Sequence, residues 1–118
     1  MRTRYHYGKE AMKYSVISIP KMLFVDDLFA DLSIEAKVIY GLLLERMALS
    51  KKNDWIDENN RVFVIFPVDL IQEATGLSKR TIVEELGNLD EFGLIEMVKQ
   101  GQGKPNLLYI KNFACKEA

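Results

Sequence analysis

An α+β fold, a winged helix-turn-helix with an N-terminal strand or arm and a C-terminal β-hairpin wing, is predicted by three features of the sequence. Two apolar-periodic segments meet at Gly76, a residue suited to the left-handed helix C-cap. Ser78 stands where the second segment needs an N-cap, and Gly93 where it needs a stop. Two β-prone runs, residues 94–100 and 106–111, then flank the turn Gly101-Gln102-Gly103-Lys104-Pro105.

The elements follow in chain order. Residues 14–19, Tyr-Ser-Val-Ile-Ser-Ile, are rich in β-branched residues and predict a strand stopped by Pro20. Met22, Leu23, Phe24, Leu28 and Phe29 add an apolar patch. Ser33 is placed as an N-cap, with Glu35 in the first turn where a negative charge suits the helix dipole. The helix it opens is expected over residues 34–48. Ala36, Ile39, Tyr40, Leu43 and Met47 form its stripe, which Val38 and Leu42 widen. So broad an apolar surface predicts a central helix, packed on two sides or against a partner subunit. Residues 51–60 read as a polar loop in which Trp55 is a lid on the core; the spacing of a calcium-binding loop is missing. Residues 61–66 predict a strand, and Pro67 suits the first position of the next helix.

Residues 68–75 and 79–92 are the expected pair of helices, with Leu77 buried in the turn between them. The second helix is expected to bury Ile82, Val83, Leu86 and Leu89. Arg80, Thr81, Glu84, Gly87, Asn88 and Glu91 would then face outward. In such a pair the second helix enters the major groove of DNA by its leading end. Lys79 and Arg80 lie there, where free backbone N–H groups also favour phosphate. Arg80 matches guanine O6 and N7, and Thr81 a thymine methyl or a phosphate. Ser78, Lys79, Arg80, Thr81, Glu84 and Asn88 are therefore the candidate DNA-binding residues on the helix. Lys99, Gln102 and Lys104 are those of the wing, where two glycines allow close approach to a nucleic-acid backbone. Asp90 and Glu91 fall at the far end of the helix, away from the duplex. Residues 1–32 are read as an arm and strand for dimerisation and 33–118 as the winged-helix domain, in one compact unit. Tyr5, Tyr7, Tyr14, Val16, Phe24 and Leu28 are either a self-association surface or a cover for the central helix.

Charge alone argues the other way. The 118-residue chain carries a net −1, with a pI near 5.9, whereas DNA-binding domains are usually basic. The distribution is uneven, however: Arg2, Arg4, Lys9, Lys13 and Lys21 face only Glu10 over residues 1–21. Residues 84–96 hold Glu84, Glu85, Asp90, Glu91 and Glu96 with no base, so a near-neutral total is compatible with a basic face. The acidity keeps open a winged helix that serves as a protein-interaction adaptor, and a transcriptional regulator is a further alternative. Enzyme chemistry finds little footing. His6 is the one histidine and Cys115 the one cysteine, so no metal-ligand cluster forms, and no nucleophile has an evident base. No cofactor is expected. The lone cysteine, and the absence of a signal peptide or an 18-residue apolar run, point to the cytoplasm and away from membranes.

Several stretches resemble the N-terminal domain of the RepA_N family of plasmid replication initiators from Gram-positive bacteria. They are Ile19-Pro20-Lys21 with Leu23-Phe24, and Leu32-Ser33 with Glu35-Ala36-Lys37. Tyr40, Leu42-Leu43-Leu44, Arg46-Met47, Leu49-Ser50, Lys52-Asn53, Trp55 and Asp57-Glu58 continue the match. Arg61-Val62-Phe63, Gln100-Gly101, Gly103-Lys104-Pro105-Asn106, Tyr109 and Lys111-Asn112-Phe113 complete it, over about residues 14–113. The resemblance implies a dimeric winged helix that binds repeated sites, called iterons, in a double-stranded plasmid origin. It also implies a further C-terminal domain contacting host replication proteins, absent from this sequence, which would make the chain a fragment. Residues 78–85 keep the family's apolar framework, and their exposed positions are expected to vary with the iteron.

Overall fold

The computed structural model describes residues 4–8, 15–48 and 53–111. Its elements are α1 (Met22–Val25), a 3-10 turn (Asp27–Phe29), α2 (Ile34–Met47), α3 (Val68–Thr75), α4 (Lys79–Glu91), β1 (Ile95–Val98) and β2 (Leu107–Ile110). Together they form an α+β winged helix.

α2 is the central element. The Ser33 hydroxyl accepts from the Ala36 N–H at 3.0 Å and closes its first turn. Ala36, Ile39, Tyr40 and Leu43 are buried where α2 packs against α4 and β2. A further side of α2 is crossed by residues 18–19. A Cβ on Gly41 would lie 2.7 Å from Ile19 Cγ1 and 3.3 Å from the Ser18 carbonyl oxygen, so only glycine admits the segment so close. This corrects the strand expected over residues 14–19. Residues 15–19 run without strand pairing, because Ile19 seats against a helix rather than beside another strand; Tyr14 lies outside the described residues.

The core joins α2 to Leu23, Phe29 and Leu32 on one hand and to Ile71, Ile82, Leu89, Leu94, Ile95 and Leu108 on the other. Each such side chain contributes about 1.5–3 kcal/mol through burial. β1 and β2 pair antiparallel, with Ile95 opposite Ile110 and Val98 opposite Leu107. Val64 adds to the outer side of β2: its N–H donates to the Leu108 carbonyl at 2.8 Å, and the Leu108 N–H returns a bond at 3.0 Å. The strand expected over residues 61–66 is thus reduced to isolated bridges, Val62 with Ile56 and Val64 with Leu108. The segment changes partner between Val62 and Val64, so neither pairing extends into a ladder.

Gly76 ends α3 at φ 75°, and its N–H donates to the Gln72 carbonyl. The Thr75 hydroxyl donates to the Ile71 carbonyl at 2.8 Å and accepts from the Leu77 N–H at 3.1 Å. These bonds fix the turn, and Leu77 packs half-buried against the core. The chain turns away after α4 at Gly93, which has φ 80°, and the Asp90 carboxylate accepts from the Met97 N–H at 3.0 Å, tying the helix end to β1. One burial expectation fails on α4. Val83 is 53% exposed, because the inward face is set by Ile82, Leu86 and Leu89. Glu85, not Val83, takes the remaining inward position.

Among the described residues no helix is long and apolar enough to cross a membrane.

Candidate nucleic-acid interface

The first turn of α4 is built on Ser78. Its hydroxyl accepts from the Thr81 N–H at 3.1 Å and donates to the Thr81 hydroxyl at 2.9 Å. This draws Thr81 into the cap, and the side chain expected to face out is half-buried. Lys79 and Arg80 project from the turn into solvent, as do Glu84 and Asn88 farther along the helix. The Arg80 side chain is 89% exposed. Its Nε donates to Glu84 Oε1 at 3.1 Å, one turn along the helix. An exposed pair of this spacing is worth about 0.3–0.5 kcal/mol, enough to bias the guanidinium without holding it from a stronger acceptor. The Asn88 amide is engaged at its base, donating to Glu85 Oε1 at 2.6 Å.

Glu85 was not apparent as a functional position from sequence. It is only 7% exposed and accepts from the Ser33 hydroxyl as well as from Asn88. The carboxylate thus sits at the start of α2, where the helix dipole favours negative charge. This contact ties α4 to the start of α2.

The wing places Lys99, Gln102 and Lys104 in solvent. Its tip is braced internally: Gln100 Nε2 donates to the Pro105 carbonyl at 2.8 Å. Gly101 and Gly103 adopt φ 110° and 77°, a region other residues rarely enter. A groove of about 270 Å³ runs between Leu86 of α4, Pro67 and Val68 at the start of α3, and Lys104 and Asn106 of the wing. Lys104 therefore lies beside the helix-turn-helix. Lys99 and Gln102 are not among the residues that line this groove.

Residues 15–118 match the model of the RepA_N family, described as the N-terminus of replication initiator protein A (RepA). The chain belongs to the RepA_N family. It is 32% identical over 90 residues to a "41 kDa protein" of Lactobacillus helveticus, a match covering 74% of this chain and 26% of that protein. The chain thus spans about a quarter of the length of that curated relative. Solved structures share its fold, three of them as follows. One described as a Rep-DNA complex aligns with a TM-score of 0.77 at 27% identity, covering 97% of this chain and 88% of that one. An N-terminal domain of a DNA binding protein aligns at 0.75 and 27%, covering 94% and 85%. An MDR initiator aligns at 0.73 and 28%, covering 97% and 90%.

In this RepA_N domain the N-terminal aromatic and aliphatic residues form an apolar surface outside the helix-turn-helix segment of the sequence. Tyr5, Tyr7, Val16, Phe24 and Leu28 are exposed, Leu28 at 76%; Tyr14 lies outside the described residues. Met22 and Val25 extend the apolar surface around Phe24. Lys37 packs beneath, buried, with its Nζ 5.0 Å from the Phe24 ring centroid. A polar cluster that no local sequence pattern signals fastens residues 57–61 to β2. The Asp57 carboxylate accepts from the Arg61 and Asn59 N–H groups at 2.8 and 2.9 Å and from the Tyr109 hydroxyl at 2.9 Å. The Arg61 N–H, foremost among these donors, holds the Asp57 carboxyl below its ordinary value. Burial pushes the Tyr109 phenol up, and the bond to Asp57 adds to it. Burial likewise pushes Tyr40 up to about 12.

Proposed function

We propose that this RepA_N domain binds double-stranded DNA sequence-specifically, at repeated sites (iterons) of a plasmid origin, and thereby starts plasmid replication. The observation that carries the proposal is the leading turn of α4: Lys79 and Arg80 stand outside the core at a capped helix start, with Lys104 of the wing beside the same helix pair. Family membership supports it, as does likeness to the solved Rep-DNA complex.

In this reading α4 enters the major groove by its N-terminal end. Arg80 reads a guanine, released from Glu84 as it does so. Ser78, Lys79 and Thr81 meet phosphates or base edges near the helix start, and Glu84 and Asn88 complete the face. Lys99, Gln102 and Lys104 contact the backbone or minor groove. Residues 1–32 serve dimerisation through Tyr5, Tyr7, Tyr14, Val16, Phe24 and Leu28, and residues 33–118 bind DNA. A two-fold dimer would set two α4 helices about 34 Å apart for adjacent half-sites, one turn of DNA. Host replication proteins would be met by a separate C-terminal domain, in the cytoplasm. The domain acts by binding, not by catalysis.

The exposed Arg80–Glu84 pair and the acids at Glu91 and Glu96 favour a second reading, a protein-interaction adaptor. Titration with mixed-sequence duplex at low salt separates the two, since an adaptor leaves the duplex free. Footprinting on a library of plasmid origins then tests the iteron assignment, which protection spread evenly over every fragment would refute.

A further inference from the structure

Two glycines lie inside long helices, and they are not equivalent. A glycine within a helix lowers its stability relative to alanine, so each calls for a physical reason. At Gly41 the reason is internal: Ile19 and the Ser18 carbonyl occupy the space a Cβ would need. At Gly87 the described residues supply no such reason. It is the ninth residue of the 13-residue α4, and a Cβ built there meets no atom of the described residues within 4 Å. It has no positive φ to accommodate either, since it lies in regular helix.

Gly87 also lies on a particular line of α4. Ile82, Glu85, Leu86 and Leu89 face the core. The opposite line of the helix passes through Arg80, Glu84, Gly87 and Glu91, residues spaced three or four apart. Gly87 thus lies on the face that carries Arg80, about 10 Å farther along the axis at roughly 1.5 Å per residue. The one place where the outward face of α4 gives up both side-chain volume and helix propensity is the place a surface from outside would meet the backbone.

We propose that Gly87 is a close-approach position, where the wall of the DNA major groove packs directly against the α4 backbone. The inference rests on the DNA-binding reading above and extends it. The contact surface of α4 is then not confined to its first turn. It continues for two further turns, with Arg80 reading a base edge and Gly87 setting how deeply the helix sits. Val83, exposed beside this line, provides an apolar flank to the same contact. Depth fixes whether Arg80 reaches its base, so Gly87 acts on specificity as well as affinity.

The test uses Gly87→Ala and Gly87→Leu, both better helix formers than the parent residue. The probes are the duplex that the unmodified chain selects from a randomised pool and a mixed-sequence duplex. Thermal unfolding of the free chain is expected to shift upward by a few degrees in both variants, which excludes misfolding as a cause of lost binding. Affinity for the selected duplex is expected to fall roughly tenfold for Ala and further for Leu, in order of side-chain size. The loss on mixed-sequence duplex is expected to be smaller. Variants that gain stability and bind the selected duplex as tightly as the unmodified chain overturn the close-approach assignment alone. An equal loss for Ala and Leu also overturns it, because that pattern reports helix stiffening rather than size. If the unmodified chain retains no duplex at low salt, the DNA-binding reading falls, and this inference with it.

Discussion

The Ser33 hydroxyl, which caps α2, donates to the carboxylate of Glu85 on α4, joining positions 52 residues apart in the chain. The same carboxylate accepts from Asn88, so one buried acid connects the start of the central helix to the helix that carries Arg80. Glu85→Ala removes the acceptor and leaves the Ser33 and Asn88 donors to find other partners. It is expected to cost about 1–3 kcal/mol. Glu85→Gln, which keeps the shape and one acceptor oxygen, is expected to lose less. Urea denaturation of the two variants checks this, and equal losses would mean that the carboxylate is not the linking group.

This contact also marks the limit of what the sequence discloses. The helix-turn-helix is a local structure, set by Gly76, Ser78 and the apolar spacing between them, and α3 takes the bounds that spacing predicts. α2 ends one residue early, and both wing strands lie within their predicted windows. Errors arise where a distant partner decides. The β-branched run at residues 15–19 has strand propensity, yet Gly41 offers it a helix to cross. Residues 61–66 have a strand composition, yet their pairing is divided between Ile56 and Leu108. On α4, hydrophobicity favours burying Val83, whereas Ser33 provides a partner that brings Glu85 inward. The exposed basic residues at the helix start were legible because exposure there follows from the core positions alone.

Tyr40 gives an alkaline signature. Its folded value, raised to about 12, means that the phenol contributes nothing to pH dependence below its ordinary 10.0. As pH rises from 10.0 to about 12 the unfolded chain ionises first, so stability falls. Tyr40→Phe removes that step and is expected to flatten the alkaline limb. At neutral pH it loses a 3.3 Å bond to the Lys111 carbonyl, a cost of about 0.5–1.5 kcal/mol. Denaturation across a pH series compares the parent and variant, and superimposable alkaline limbs would contradict the burial assigned to this phenol.

Asp57 gives the acid counterpart. Its folded value is lowered, so its contribution to stability is present above the ordinary 3.8 and is lost as pH falls from there through the folded value. Asp57→Asn is expected to remove this acid-sensitive component, loosening residues 57–61 from β2. Tyr109 should then titrate closer to 10.0, because the bond and the charge from Asp57 both raise it. Ultraviolet phenolate titration of the variant detects that shift; an unmoved Tyr109 would show that burial alone governs it.

Self-association through the N-terminal apolar surface predicts a change in mass. Phe24→Ser, alone or with Tyr5→Ser and Tyr7→Ser, removes exposed aromatic area while leaving Leu23, the buried member of α1, in place. A dimer formed through this surface is expected to fall to the monomer in sedimentation equilibrium, without loss of helical circular dichroism. If the mass is unchanged, these side chains serve only to cover α2.

Arg80 and Lys104 are expected to fail in different ways. Arg80 projects from the start of α4 and is paired with the exposed Glu84, so Arg80→Ala should cost roughly 1–3 kcal/mol on the selected duplex and relax preference at one base position. Lys104 lies on the wing beside the groove that Leu86 lines. Lys104→Ala should weaken selected and mixed duplexes alike, and reduce the slope of log affinity against log salt by about 0.9. Glu84→Gln provides a third arm. Releasing Arg80 from its intrahelical partner is expected to raise affinity for mixed duplex more than for the selected one, because the acid repels phosphate wherever the helix lands. Anisotropy titrations at several salt concentrations separate these behaviours. Should Arg80→Ala lower both duplexes equally and retain the sequence preference of the parent, Arg80 is a phosphate contact, and base reading passes to other residues on the outward face of α4.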